Sequence, residues 1–120
     1  NYVHKVCSPS RASFLTGRYP SNLGLQNLVF NPQFPASLTR QVSTLSNELK
    51  HNGYSTHIIG KWHLGMQSYE YTPRYRGFDS FSGFYGGMQT YFSHEQNIMG
   101  PEGVDVNYYD LRDNEEECVD

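Results

Sequence analysis

Long apolar runs, a basic patch, paired cysteines and glycosylation sequons are all missing from this 120-residue chain. No apolar run approaches the roughly 20 residues that span a bilayer, so no membrane span is expected. Nine Lys and Arg are scattered among twelve Asp and Glu, with a net charge of -3, so no nucleic-acid partner is expected either. Two cysteines, Cys7 and Cys118, do not make a disulfide framework. No Asn-x-Ser/Thr occurs, so glycosylation gives no clue to compartment. An initial Met and a leader-like segment are absent, and the chain runs out in the acidic "DLRDNEEECVD". These features fit a piece of a longer protein, a fragment of one domain over residues 1–120.

Aliphatic residues are also scarce. Leu, Ile, Val and Phe make 26 of 120 residues, just above the level that favours disorder. Ten Tyr and seven Phe must therefore carry much of the burial, and each buried Tyr hydroxyl needs a partner. The core is expected to be incomplete unless more chain supplies its other half.

What is present is grammar for an α/β layer. Residues 1–6 read as a strand end or the loop leaving it. Residues 8–17 read as a helix, with Ser8 or Ser10 as cap, Pro9 in the first turn and Gly17 as the stop. Three prolines make 19–41 a long loop, a length that is usually functional. Residues 44–52 read as a second helix, with Thr44 as N-cap, Leu45 and Leu49 on one face and Gly53 beyond the end. "YSTHIIGKW" then reads as a strand. Helix, glycine, strand predicts a mainly parallel sheet flanked by helices. The Gly-, Tyr- and Phe-rich stretch after Gly65 reads as irregular, with a short helix near 86–92. A strand is expected at 104–109, then an exposed acidic tail.

The most informative stretch is "CSPSRASFLTGRYP". An unpaired cysteine such as Cys7 is commonly a buried structural residue. A disulfide to Cys118 is open, but nothing positions it. Zinc is disfavoured, because no Cys-x-x-Cys occurs. A phosphatase-type loop needs Arg six positions after the Cys, where this chain has Ser13. A papain-type signature is absent. A residue at a helix N-terminus meets free N–H groups and the positive end of the dipole. Arg11 lies one turn on and adds a fixed positive charge. Together they would stabilise an anion, and sulfate or phosphate fits that environment.

"CSPSR" followed by "ASFLTGRYP" resembles the first signature of the type I sulfatases, Cys-x-Pro-x-Arg and then Thr-Gly-Arg. "GKWHLG" at 60–65 resembles their second, and "RGFDSFSGFYGG…YFSHE" looks most like the arylsulfatase B branch. The resemblance implies part of the alkaline-phosphatase-like catalytic domain, and a sulfuric ester hydrolase. It implies that Cys7 is oxidised to Cα-formylglycine by a formylglycine-generating enzyme, whose hydrate attacks sulfur and then expels sulfate. It also implies a calcium ion with that residue among its ligands. Arg11 would orient the hydrate, Lys61 would contact sulfate and His63 would serve proton transfer. Lys61 and His63 are two apart, so on an extended segment they share a face. The substrate would be an aryl sulfate or a sulfated glycan, such as N-acetylgalactosamine 4-sulfate in glycosaminoglycans, in a lysosomal or secreted enzyme. The family's other calcium ligands find no match here, so the 120 residues alone are expected to be inactive. The contrasting reading is a non-catalytic sulfatase-like chain. A phosphoryl-transfer relative would use Ser or Thr where this chain has Cys7.

Overall fold

The computed structural model describes residues 3–27, 29–33, 35–100 and 103–118. Helix α1 spans Cys7–Thr16 and α2 spans Leu45–His51. Six strands follow: β1 His57–Lys61, β2 Ser80–Phe84, β3 Glu95–Met99, β4 Asp105–Tyr109, β5 Leu111–Asp113 and β6 Glu116–Glu117. Short 3-10 turns form at Pro20–Leu23, Tyr69–Tyr71 and Pro73–Arg76.

Local sequence explains the helices. Gly17 takes a left-handed φ of 67° and its N–H donates to the Ser13 carbonyl, closing α1 as expected. The expected Ser8 or Ser10 cap is not there: Val6 occupies the N-cap and no side chain caps it. Both hydroxyls serve tertiary contacts instead. Ser8 Oγ accepts from the Phe30 N–H at 3.0 Å, and Ser10 Oγ donates to the His4 carbonyl. In α2, Thr44 and Asn47 form a reciprocal capping box, with bonds of 3.3 and 3.2 Å.

The α/β class holds, and the sheet is mixed. Its order is β1-β2-β5-β6, with β1 and β2 parallel and the other pairings antiparallel. A parallel pair needs a crossover. Here residues 62–79 supply it as loop and 3-10 turns. Gly60 pairs with Gly83, where a Cβ on Gly83 would run into the Gly60 backbone.

Two expectations after Gly65 need correcting. Residues 80–84 form strand β2, not irregular chain. No helix forms over 86–92; bends and a turn lead instead into β3. The β3–β4 hairpin is a separate two-stranded sheet, and β4 matches the strand expected at 104–109. Asp113, Glu116 and Glu117 in the acidic tail are exposed as expected, but its backbone is not irregular. Its β5–β6 hairpin pairs with β2, and the Asn114 N–H donates to the Phe81 carbonyl at 2.7 Å. Residues 3–6 carry no strand, while Asn1 and Tyr2 lie outside the described residues.

The core lies where α1 meets the ends of β1 and β2. Ala12, Trp62, Leu64 and Phe81 are fully buried there, and Leu15, Leu38 and Phe78 join them. Trp62 meets Phe78 edge to face at 6.3 Å, and Phe81 stacks on Tyr85 at 5.2 Å. The buried Arg76 guanidinium donates to the Leu38, Thr39 and Val42 carbonyls, fixing the loop ahead of α2.

Candidate active site

Cys7 opens α1 and is exposed; it and Cys118 are both free thiols, so the open disulfide does not form. Arg11 lies one turn further along, half-buried. Its Nε donates to the Trp62 carbonyl at 2.7 Å, and its Nη2 donates to the Lys61 carbonyl. Arg11 therefore joins the two separated motifs. Burial lowers its pKa, and the neighbouring Cys7 works in the opposite direction. A guanidinium so shifted still keeps its proton.

The "GKWHLG" segment continues past β1. The Trp62 and His63 N–H groups donate to the Phe84 and Tyr85 carbonyls, each at 2.9 Å. His63 then turns into the left-handed region, at φ 55°. The extended geometry that would put Lys61 and His63 on one face thus stops at Trp62. The two side chains still meet, by another route, at Gly87. Lys61 Nζ donates to the Gly87 carbonyl at 2.6 Å, and a Cβ on Gly87 would sit 3.0 Å from the His63 ring.

His63 is 7% exposed, and its Nε2–H donates to the Phe30 carbonyl at 2.8 Å. Burial lowers its pKa, with Lys61 and Arg11 adding to the effect and the Phe30 carbonyl opposing it. The imidazole is therefore neutral at pH 7. Nδ1 is buried and has no hydrogen-bond partner. A cavity of about 330 Å³ opens beside His63 and Gly87, walled by Phe30, Asn31, Met88 and Asn97 among others.

The four residues singled out in the sequence are thus brought together by hydrogen bonds and electrostatic neighbourhood. The sequence reading did not find the groups that hold them. Those are the carbonyls of Gly87 and Phe30, which hold Lys61 and His63; next to Gly87, the Asp110 carboxylate accepts from the Tyr85 and Gly86 N–H groups. Only "GFYGG", read as tight packing or a rim loop, pointed toward that place. His57 and His94 stay apart from it. His57 Nδ1 is 2.8 Å from Ser80 Oγ, and His94 packs edge-on against Tyr109.

A helix-borne cysteine and arginine, tied to a Lys-x-His segment leaving a parallel strand, define a class that the comparisons also find. The sulfatase family model matches residues 1–113, and the chain belongs to that family. Among relatives, it is 40% identical to mouse arylsulfatase J over 119 residues, covering 99% of this chain and 19% of that protein. It is 49% identical to human arylsulfatase G over 81 residues, or 65% of this chain and 14% of that one. The crystal structure of Ps i-CgsB superposes with a TM-score of 0.70 at 38% identity, covering 75% of this chain and 20% of its own. That protein has also been solved in complex with k-i-k-neocarrahexaose. The chain spans about a fifth or less of the length of these relatives. The relatives include human steryl-sulfatase and bovine arylsulfatase A, and they do not single out the arylsulfatase B branch.

Proposed function

We propose that these residues carry the nucleophile wall of a sulfuric ester hydrolase of the arylsulfatase type, with Cys7 matured to formylglycine. The observation that carries this is Arg11, bonded to the backbone of Lys61 and Trp62 while it flanks Cys7. The Cys7 position suits an anionic reaction centre: it is exposed, stands at the start of a helix, and has a cation one turn away. As a hydrated formylglycine it supplies the oxygen nucleophile toward sulfur.

The other residues bind and move protons. Lys61 has three N–H groups, one of which is held by Gly87; the others can meet sulfate oxygens. Fixed positive charge there matches the charge that builds in the transition state. His63 is neutral with its proton on Nε2, so Nδ1 can accept one. Calcium is a different case. Among the described residues no group of three His, Cys, Asp or Glu could hold a metal. These residues alone do not fit the ion, and no step here depends on it; its remaining ligands would come from elsewhere in the protein.

The substrate proposed is a sulfated glycan or an aryl sulfate, with N-acetylgalactosamine 4-sulfate as the finer suggestion of the branch resemblance. The likeness to a protein solved with k-i-k-neocarrahexaose supports a glycan. A formylglycine-generating enzyme would be the maturation partner, and the location lysosomal or secreted. Among the described residues no helix is long and apolar enough to cross a membrane.

The test is mass spectrometry of the Cys7 peptide from the full-length protein, expressed with a formylglycine-generating enzyme, alongside aryl sulfate turnover. An aldehyde at Cys7, with turnover that Cys7→Ala abolishes, is the expected result. An unmodified thiol and no turnover would overturn the proposal in favour of the non-catalytic reading.

A further inference from the structure

Asp110 is 1% exposed, and its hydrogen bonds go to Tyr85, Gly86 and His94, outside the proposed chemistry. Its Oδ1 accepts from the Tyr85 N–H at 3.1 Å and its Oδ2 from the Gly86 N–H at 2.7 Å. A buried carboxylate is costly unless its lone pairs are filled. Two adjacent backbone amides fill both oxygens here, and in doing so they fix the peptide geometry of the turn leaving β2. One peptide unit beyond the anchored Gly86 amide, the Gly87 carbonyl receives the Lys61 ammonium at 2.6 Å. The Gly87 Cα also lies against the His63 ring, where a Cβ would stand 3.0 Å from Cε1 and Nε2. Gly86 has no free room: a Cβ there would collide with Gln96 Oε1 and come within 2.8 Å of Asp110 Oδ2. Gln96 is itself held by the Tyr108 hydroxyl, which donates to Oε1 at 2.6 Å. The Asp110 N–H donates to the His94 carbonyl at 2.9 Å, so the carboxylate is anchored at the end of the β3–β4 hairpin.

From this chain of contacts we infer that Asp110 is a positioning residue: through the Tyr85 and Gly86 amides it sets the Gly87 carbonyl that aims Lys61 at the sulfate. The inference rests on the sulfatase reading for what Lys61 binds, and on geometry alone for what Asp110 holds. It gives the β3–β4 hairpin a task in the site. A purely structural Asp110 would loosen the hairpin without acting selectively on Lys61.

The experiment uses the full-length protein as wild type, Asp110→Asn, Lys61→Ala and the double variant, with Asp79→Ala as a destabilised control remote from Gly87. Asp110→Asn replaces one acceptor oxygen by an NH₂ that faces a backbone N–H. It should raise KM for an aryl sulfate and the inhibition constant of inorganic sulfate by about tenfold, the size of one charge-assisted contact. It should add nothing further in the Lys61→Ala background, because the contact is already gone. Asp79→Ala should lower Tm and leave KM in place. A second readout needs no turnover: acylation of Lys61 by a limiting amine reagent, read by peptide mass spectrometry. Lys61 should react several times faster in Asp110→Asn than in wild type. Asp110→Ser serves if Asp110→Asn does not fold. Effects on KM that add to those of Lys61→Ala, or Lys61 labelling that stays unchanged, overturn the inference. If the wild type turns over no sulfate ester, the sulfatase reading fails, and Lys61 labelling alone still decides the positioning role.

Discussion

Single residues here do two kinds of work, and the difference lies in what each polar atom meets. Arg11 reads in the sequence as a charge beside Cys7, yet its strongest contacts are two backbone carbonyls 50 and 51 residues away. His63 holds a left-handed backbone that costs a non-glycine residue roughly 1–2 kcal/mol. Its N–H bond to the Tyr85 carbonyl and its ring bond to the Phe30 carbonyl hold it in that conformation. Asp79 joins the strand entrance to α2. Lys50 Nζ lies 2.7 Å from its Oδ1, and the Thr56 N–H donates to Oδ2 at 2.9 Å. The hydrogen bond from Lys50, and then that from Thr56, hold the carboxyl at about 2, below its ordinary 3.8. The folded state thus favours the ionised form. The stabilisation is complete above the unfolded value near 3.8 and is lost as pH falls through about 2. Thermal melts of wild type and Asp79→Asn across that window should converge at the acid end. A gap that stays constant with pH would refute the assignment.

At the scale of elements, the helices were legible, and of the six strands only β1 and β4 were. Gly17 and the Thr44–Asn47 box are local signals, because a helix end must satisfy its own backbone groups within one turn. Thr44 is 1% exposed, and its Oγ1 also donates to the Arg76 carbonyl at 2.9 Å. Thr44→Ala removes both the cap and that buried bond. It should destabilise the protein by about 1–2 kcal/mol in denaturant melts, while Thr44→Ser should recover most of the loss. Strand β1 was readable from "HII", whose two isoleucines are β-branched. Strand β2, "SFSGF", was not: its Gly83 and serines carry little β-propensity. It is a strand because Gly83 lets its backbone lie close to Gly60 and because Phe81 fills the core. The β5–β6 hairpin looked like a solvated acidic tail. Arg112 reorganises it, pairing with Glu117 at 3.0 Å and lying 5.6 Å over the Tyr85 ring.

Across the whole molecule, apolar surface is divided unevenly. The cluster around Trp62 is dry, whereas Ile59 is 88% exposed and Phe14 75% exposed. A cavity of about 630 Å³ between α1, α2 and β1 is lined by Phe14, Leu45, Leu49 and Ile58; it includes Arg11 but neither Lys61 nor His63. The scarcity of aliphatic residues foreshadowed this shape, since the aromatics available close one core and leave β1 open on its other side. The candidate site is likewise one-sided, with the cysteine proposed as nucleophile precursor, two cations and a histidine but no metal cluster among the described residues. The 120 residues expressed alone should therefore bind a hydrophobic dye strongly and show no turnover of an aryl sulfate. Turnover above background by this chain would contradict the need for ligands from elsewhere.

The sequence by itself determined the family, both helices, β1 and β4, and it singled out the four residues proposed for the site. Each of these is written in contiguous residues, as a motif, a cap or a periodic run. The tertiary structure decided how those residues meet. It replaced an extended Lys-x-His face with a left-handed turn at His63. It recruited the Gly87 and Phe30 carbonyls as anchors, and it placed Asp110, at the end of the β3–β4 hairpin, beside the Gly87 turn. Backbone carbonyls carry no residue signature, and a buried carboxylate reveals its partners only when distant segments pack, so the motif could name the candidate groups but not the partners that hold them.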